Sequence, residues 1–242
     1  MNKFKQPQNY AQSSESGFSI IEVLLAIIVV TILMAAIAPA IVLSVATRMQ
    51  AKRIELGTGA AKSYIDGVRS GAIKPPLITN AHTIANEVEV PTGGGFTCSA
   101  PAGVTPAPKA FYCTEPPSNL YCIDNDNTGN CETTSFQDMV VQGFGLSGQG
   151  AVAPTADENE DTAKKGYLLG IRVYRADAFA DSGVLKKSEV DNNRSASTFT
   201  AGQGDRKAPL IEMTTEIFTP DTKYSDLCDR LRRTPGEREN CG

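Results

Sequence analysis

The stretch Asp124-Asn125-Asp126-Asn127-Thr128-Gly129 is the part of the chain best equipped to bind an ion. Oxygen-bearing side chains alternate along it and a glycine closes the turn, which is how a calcium loop begins. No cofactor is required by the sequence; calcium is the one candidate, with Asp124, Asp126 and Thr128 as its ligands. The bidentate carboxylate expected at the twelfth position of such a loop is missing, because Ser135 stands there. Glu132, at the ninth position, replaces it only in part. A polar turn that binds no metal and is held by a disulfide is the reading preferred over calcium.

Cysteine supplies the second chemistry. Cys98, Cys113, Cys122, Cys131, Cys228 and Cys241 all lie after the long apolar segment near the N-terminus. An even number of cysteines in a domain outside the cytoplasm points to disulfides. Short loops close easily, which favours Cys122–Cys131 and Cys228–Cys241 and leaves Cys98 for Cys113. Each such bridge contributes on the order of 3 kcal/mol. Zinc fits poorly: no two cysteines have the short gap its sites prefer, and His82 is the single histidine.

The third feature is a carboxylate in greasy surroundings. Glu22 stands at the leading edge of an apolar run in which Val23 to Leu43 is broken only by Thr31 and Pro39. A charge at the bilayer centre costs about 2.5–3.5 kcal/mol on insertion scales, and less near the edge. A segment that only spanned a membrane would avoid that cost, so Glu22 calls for a partner. At about 1.5 Å per residue, Phe18 to Ala46 extends roughly 43 Å as a helix. That exceeds a hydrocarbon core of about 30 Å. The run is too long for a cleaved secretory signal, and no small-residue cleavage site follows it closely. Pro39 removes a backbone bond to Ala35 and predicts a kink. Membrane helices tolerate this when neighbouring groups compensate.

A polar leader ending in Gly17, then Phe18, then Glu22, then the apolar helix, resembles the N-terminus of the type IV pilin superfamily of pilins and pseudopilins. The resemblance covers about residues 1–70. It implies that a prepilin peptidase cuts between Gly17 and Phe18 and N-methylates the new terminal Phe18. It also implies that Glu22 attracts the terminal amine of a neighbouring subunit during assembly. The implied partners are that peptidase, other pilin-like subunits and an ATPase-driven pilus or secretion machinery. The implied location is the inner membrane with a periplasmic head, and then a filament in the periplasm or outside the cell. Within residues 60–71 the run Ala60-Ala61-Lys62-Ser63-Tyr64-Ile65-Asp66-Gly67 is also similar to cyanobacterial pseudopilins associated with hormogonium polysaccharide secretion. That narrower resemblance implies polysaccharide export and surface motility.

These features need elements to position them. The expected parts are a leader over 1–17, a transmembrane and filament-core helix over 18–46, its amphipathic continuation over 47–71, and a β-rich globular head over 72–242. Ile54, Ala61, Ile65 and Val68 should share the buried face of the continuation. Arg48, Lys52, Glu55, Lys62 and Arg69 take the rest. Gly71 and Pro75-Pro76 predict the helix end. Tyr167 to Arg175 and Pro209 to Phe218 alternate with period two, which predicts antiparallel strands with one wet face. A short strand is expected over Ala110 to Cys113. Residues 147–165, with the acidic run Asp157, Glu158, Glu160 and Asp161, read as an exposed loop. Ser225 reads as the cap of a short helix. The expected fold is α+β: one long helix packed on three to five antiparallel strands, as in pilin-like domains.

Net charge is −4, and nothing suggests a nucleic-acid surface. No nucleophile elbow, zinc-protease helix, P-loop or dinucleotide-binding glycine motif occurs, so the reading is a structural subunit and not an enzyme. Two alternatives stand beside it. One is an adhesive pilus subunit binding a surface or glycan, with Phe111, Tyr112 and Tyr121 as candidate exposed aromatics. The other is a periplasmic enzyme on a pilin-like tether.

Overall fold

The computed structural model describes residues 17–79, 88–106, 108–113, 119–146, 159–187 and 205–226. His82, Asp157, Glu158, Cys228 and Cys241 lie outside these residues.

Helix α1 runs from Ile20 to Arg69 without a break and contains Pro39. The Ser19 carbonyl opens it, accepting from the backbone N–H groups of Glu22 and Val23 at 2.9 and 3.2 Å. At the other end Gly71 takes φ +73°, a left-handed conformation that costs glycine least. Gly71 N–H donates to the Val68 carbonyl at 3.2 Å and Ile73 N–H to the Gly67 carbonyl at 3.0 Å, which satisfies two of the last carbonyls. The chain forms two compact units that divide between Val45 and Ala46. The first is helical from Ile20 onward, and its large apolar side chains from Phe18 to Val45 are exposed.

The second unit is the head. Its strands are β1 (Ile78–Thr79), β2 (Thr92–Gly93), β3 (Ala110–Tyr112), β4 (Leu120–Ile123), β5 (Met139–Leu146), β6 (Tyr167–Arg175), β7 (Gly183–Val184) and β8 (Ile211–Ile217). A short helix α2 spans Asn159–Lys164. The main sheet runs β3-β4-β5-β6-β8, antiparallel throughout, and β1 adds a parallel pair to β5. β2 and β7 form a separate antiparallel pair. The α+β architecture agrees with the expectation from sequence, and the sheet is larger than expected by the short parallel strand.

One face of this sheet packs on the later turns of α1. Tyr121, Ile123, Met139, Val141, Leu169, Ile171, Val173 and Ile217 meet Ala60, Ala61, Tyr64, Ile65 and Val68 in one apolar cluster. Glycines let the elements approach. A Cβ on Gly143 would overlap the ring of Tyr64, and one on Gly145 would press on Ile78. Tyr64 is completely buried, and its hydroxyl lies 3.1 Å from that of Tyr112, which donates to the Lys74 carbonyl at 2.7 Å.

Four expectations are corrected. The buried face of α1 contains Ala61, Ile65 and Val68, but also Arg53, Gly57, Ala60 and Tyr64, while Ile54 is 53% exposed. Packing follows the row Arg53-Gly57-Ala61-Ile65, four residues apart, which is a natural ridge of a helix surface. Residues 147–165 are not all loop: Glu160 and Asp161 lie in the first turn of α2, where negative charge suits the helix dipole. Asn159, at the start of α2, is fixed by accepting from Ile78 N–H at 2.8 Å and donating to the Pro76 carbonyl at 3.1 Å. Tyr224–Asp226 are helical, so Ser225 sits inside that turn and not at its cap.

The fourth correction is the largest. Over β4, β5 and β6 the second face of the sheet is not wet, whereas Thr214 of β8 is exposed as expected. Phe111, Leu120, Cys122, Val140, Tyr174 and Phe179 form another buried cluster there, with Phe96 against it. Directly opposed residues Gln142, Arg172 and Glu212 make a polar row across β5, β6 and β8 on this face. Arg172 is 0% exposed. It donates to the Val88 carbonyl at 3.0 Å, its Nε lies 3.3 Å from Glu212, and its guanidinium lies over the Phe144 ring. Gln142 donates to the Glu89 carbonyl at 2.8 Å. The segment at Val88 and Glu89 is thus tied over the sheet by its own main chain.

Candidate functional site

The N-terminal segment is the first candidate. Gly17 and Phe18 precede the helix and are exposed. Glu22 lies in its first turn and is exposed too. Phe18, Glu22, Ala26 and Val30 are spaced four residues apart and form one ridge; Val23, Ile27 and Thr31 form the next. Between them lies a groove whose lining is almost wholly apolar apart from Glu22 and Thr31. Ridges and grooves of this kind are what helices use to pack side by side. The arrangement puts one carboxylate at the end of a greasy packing surface, one turn from the residue that becomes the N-terminus if the chain is cut after Gly17.

Residues 12–38 match the family described as the prokaryotic N-terminal methylation motif. The chain is type IV pilin-like. Its motif makes it a substrate type for prepilin peptidase and a partner type for other pilin-like subunits. No curated protein and no solved structure matches it.

The pilin-like head holds the second candidate, the loop from Asp124 to Asp138. Asp124 is buried and accepts from three backbone N–H groups: Asn127 at 2.6 Å and Thr128 at 3.3 Å on Oδ1, and Gly129 at 2.6 Å on Oδ2. Asp126 accepts from Thr128 N–H and, at 2.8 Å, from the Ser135 hydroxyl. The Thr128 hydroxyl points elsewhere and donates to the Asn130 carbonyl at 3.2 Å. Asp138, which the loop pattern does not include, completes the cluster: one oxygen from each of Asp124, Asp126 and Asp138 lies within 4.8 Å of the others. Asp138 accepts from Asn125 N–H at 3.1 Å and Glu132 N–H at 3.3 Å. Burial pushes its carboxyl above the ordinary range, against those two bonds. For Asp126 burial works upward as well, but the hydrogen bonds from Ser135 and Thr128 outweigh it and leave the carboxyl low. Ser135 at the twelfth position spends its hydroxyl on Asp126, where a bidentate carboxylate would face the ion. The three carboxylates accept from the loop's own N–H and O–H groups, and one oxygen from each lies close enough to the others to share an ion.

Disulfides Cys98–Cys113 and Cys122–Cys131 pin this region. Cys131 N–H donates to the Cys98 carbonyl at 2.8 Å and Ala100 N–H to that of Gly129 at 2.9 Å, so the two bridges tie neighbouring chain segments. Cys122–Cys131 joins the partners that loop length favours, and Cys98–Cys113 the pair left over.

The candidate adhesive aromatics are not presented to a ligand. Phe111 and Tyr121 are buried, and Tyr112 packs edge-on against Tyr121 while bonding Tyr64. Phe136, 60% exposed in the loop before β5, is the outward-facing aromatic there.

Proposed function

We propose that this chain is a minor pilin or pseudopilin, held in the inner membrane by α1 with its head in the periplasm. After cleavage it is drawn into a filament through Glu22. The observation that carries this reading is the carboxylate at the head of an exposed apolar helix, four residues after the cut-site phenylalanine. Cleavage after Gly17 frees a positive amine on Phe18. In an apolar setting that amine and a neighbour's Glu22 attract strongly, since screening by water is lost. Apolar packing of the ridges then holds the rods together. The size of the head and its long connections favour a minor subunit, because a major one must repeat in a tight lattice.

The test is Glu22→Ala in the native host. Mass spectrometry should find the leader removed as in the wild type, while sheared filament fractions lose the subunit. Undiminished incorporation rejects the pairing of Glu22 with the amine. A native chain that retains residues 1–17 rejects the reading as a whole.

A further inference from the structure

Arg48 and Lys52 stand just past the apolar run of α1, one turn apart on the same side of the helix, and both are exposed. Among the described residues neither makes an ion pair. Glu55, three residues past Lys52, is exposed and does not come within ion-pair distance of it. Arg53, the next cation, is buried in the head. Two free cations here run against the usual distribution, because Lys and Arg gather on the cytoplasmic flank of a membrane helix. The leader's Lys3 and Lys5 already mark that flank, so orientation does not account for Arg48 and Lys52. Their height along the helix does. At about 1.5 Å per residue, Val23 to Val45 extends roughly 35 Å, against a hydrocarbon core of about 30 Å. The run therefore ends in the headgroup layer. Side chains on a helix lean toward its N-terminus, so both cations reach back toward the bilayer.

Given the reading of α1 as a membrane span, we propose that Arg48 and Lys52 bind the phosphates of anionic phospholipids in the leaflet on the side of the head. The fork of the Arg48 guanidinium suits a phosphate, and Lys52 adds a point charge one turn farther out. An anionic lipid lacks the amine that neutralises the phosphate of a zwitterionic one, so it is the better complement to two free cations. Pairing through Glu22 uses neither residue. The headgroup contact sets how deep the helix sits, and it has to break when the chain leaves the bilayer for a filament.

The experiment is native mass spectrometry of the full chain in mixed micelles of a non-ionic detergent with phosphatidylglycerol or with phosphatidylcholine. The readout is the lipid retained per chain. Phosphatidylglycerol should be retained in preference, and the preference should shrink as salt is raised. Arg48→Gln and Lys52→Gln should each lower it about fivefold. Both side chains are exposed, so the variants keep the fold. Lys62→Gln, which removes an exposed cation ten residues past Lys52, should leave the preference unchanged. Inorganic phosphate should displace the lipid no better than chloride at matched ionic strength. Equal retention of the two lipids overturns the proposal, as does a preference that survives loss of both cations. An equal fall in Lys62→Gln overturns it too, since net charge and not position would then govern. Specific displacement by inorganic phosphate would replace the lipid with a free anion and overturn it likewise. Retention of neither lipid by the wild type would sink the membrane reading of α1 along with the proposal.

Discussion

Replacing Gly143 by alanine tests whether the head is built by seating Tyr64 on β5. The added methyl would lie 2.6 Å from Tyr64 Cζ and 2.7 Å from Cε1, where ordinary contact begins at 3.4 Å. The ring must therefore retreat by at least about 0.8 Å, the difference between 3.4 and 2.6 Å, and its hydroxyl oxygen, which lies closer still, by more. It has nowhere easy to go. Tyr121 packs on it with centroids 5.2 Å apart, and Tyr112 holds its hydroxyl. Overpacking of this kind costs about 1–3 kcal/mol. Loosening the phenol contact adds about 0.5–1.5 kcal/mol. A stiffer unfolded chain returns about 0.4–1 kcal/mol. The net is a loss of about 2 kcal/mol, which for a protein of this size lowers the melting temperature by about 4–8 °C. The assay is thermal or urea unfolding of the full chain in detergent, run as a double-mutant cycle with Tyr64→Ala. Gly143→Ala should be nearly neutral once Tyr64 is gone. The same cost in both backgrounds would refute the argument, because the penalty would then come from the strand and not from the ring.

Arg172→Ala should destabilise the head by about 3–5 kcal/mol, because Glu212 is left buried without its cation; adding Glu212→Gln should recover part of the loss in urea unfolding. The Asp138 carboxyl is raised above its ordinary 3.8 by burial. The folded chain therefore binds the proton more tightly than the unfolded one, and this group's contribution to stability falls as pH rises from about 3.8 through the raised value. Asp138→Asn should remove that component from the pH dependence of the unfolding free energy; an unchanged profile counts against the raised carboxyl. Removing calcium with a chelator should leave the melting temperature unmoved, since the carboxylates of the 124–138 loop are engaged by its own N–H and O–H groups; a saturable rise with added calcium would show an ion site there.

What could be read from sequence depended on where the information sits. The N-terminal pattern is local, so Gly17, Phe18, Glu22 and the apolar span could be read directly. The alternation in β6 and β8 and the stop at Gly71 are local too. The covered second face of the sheet was not legible. Gly170, Arg172 and Tyr174 alternate with apolar residues as on a solvated strand. Their cover comes from far away, through the Val88 and Glu89 carbonyls, and a main-chain acceptor leaves no mark in residue type. Asp138 escaped notice because it lies past the loop pattern and is brought back by the start of β5. Ile54 misled because its spacing to Ala61 and Val68 is helical, whereas the sheet follows a ridge one residue away. Arg53 occupies that ridge, and its charge disguised a core position.

Helix α1 has one further consequence. Its stretch from Ala60 to Val68 lines the interior of the head, while the same continuous rod carries the methylation motif. The head therefore cannot be severed at the end of α1. A protease cut or a gene truncation after about Ser70 would release a β-sheet stripped of Tyr64, Ile65 and Val68, with its apolar face open to solvent. Any soluble version must begin ahead of Arg53. In the living cell, a folded head can be released only by a cut ahead of Arg53.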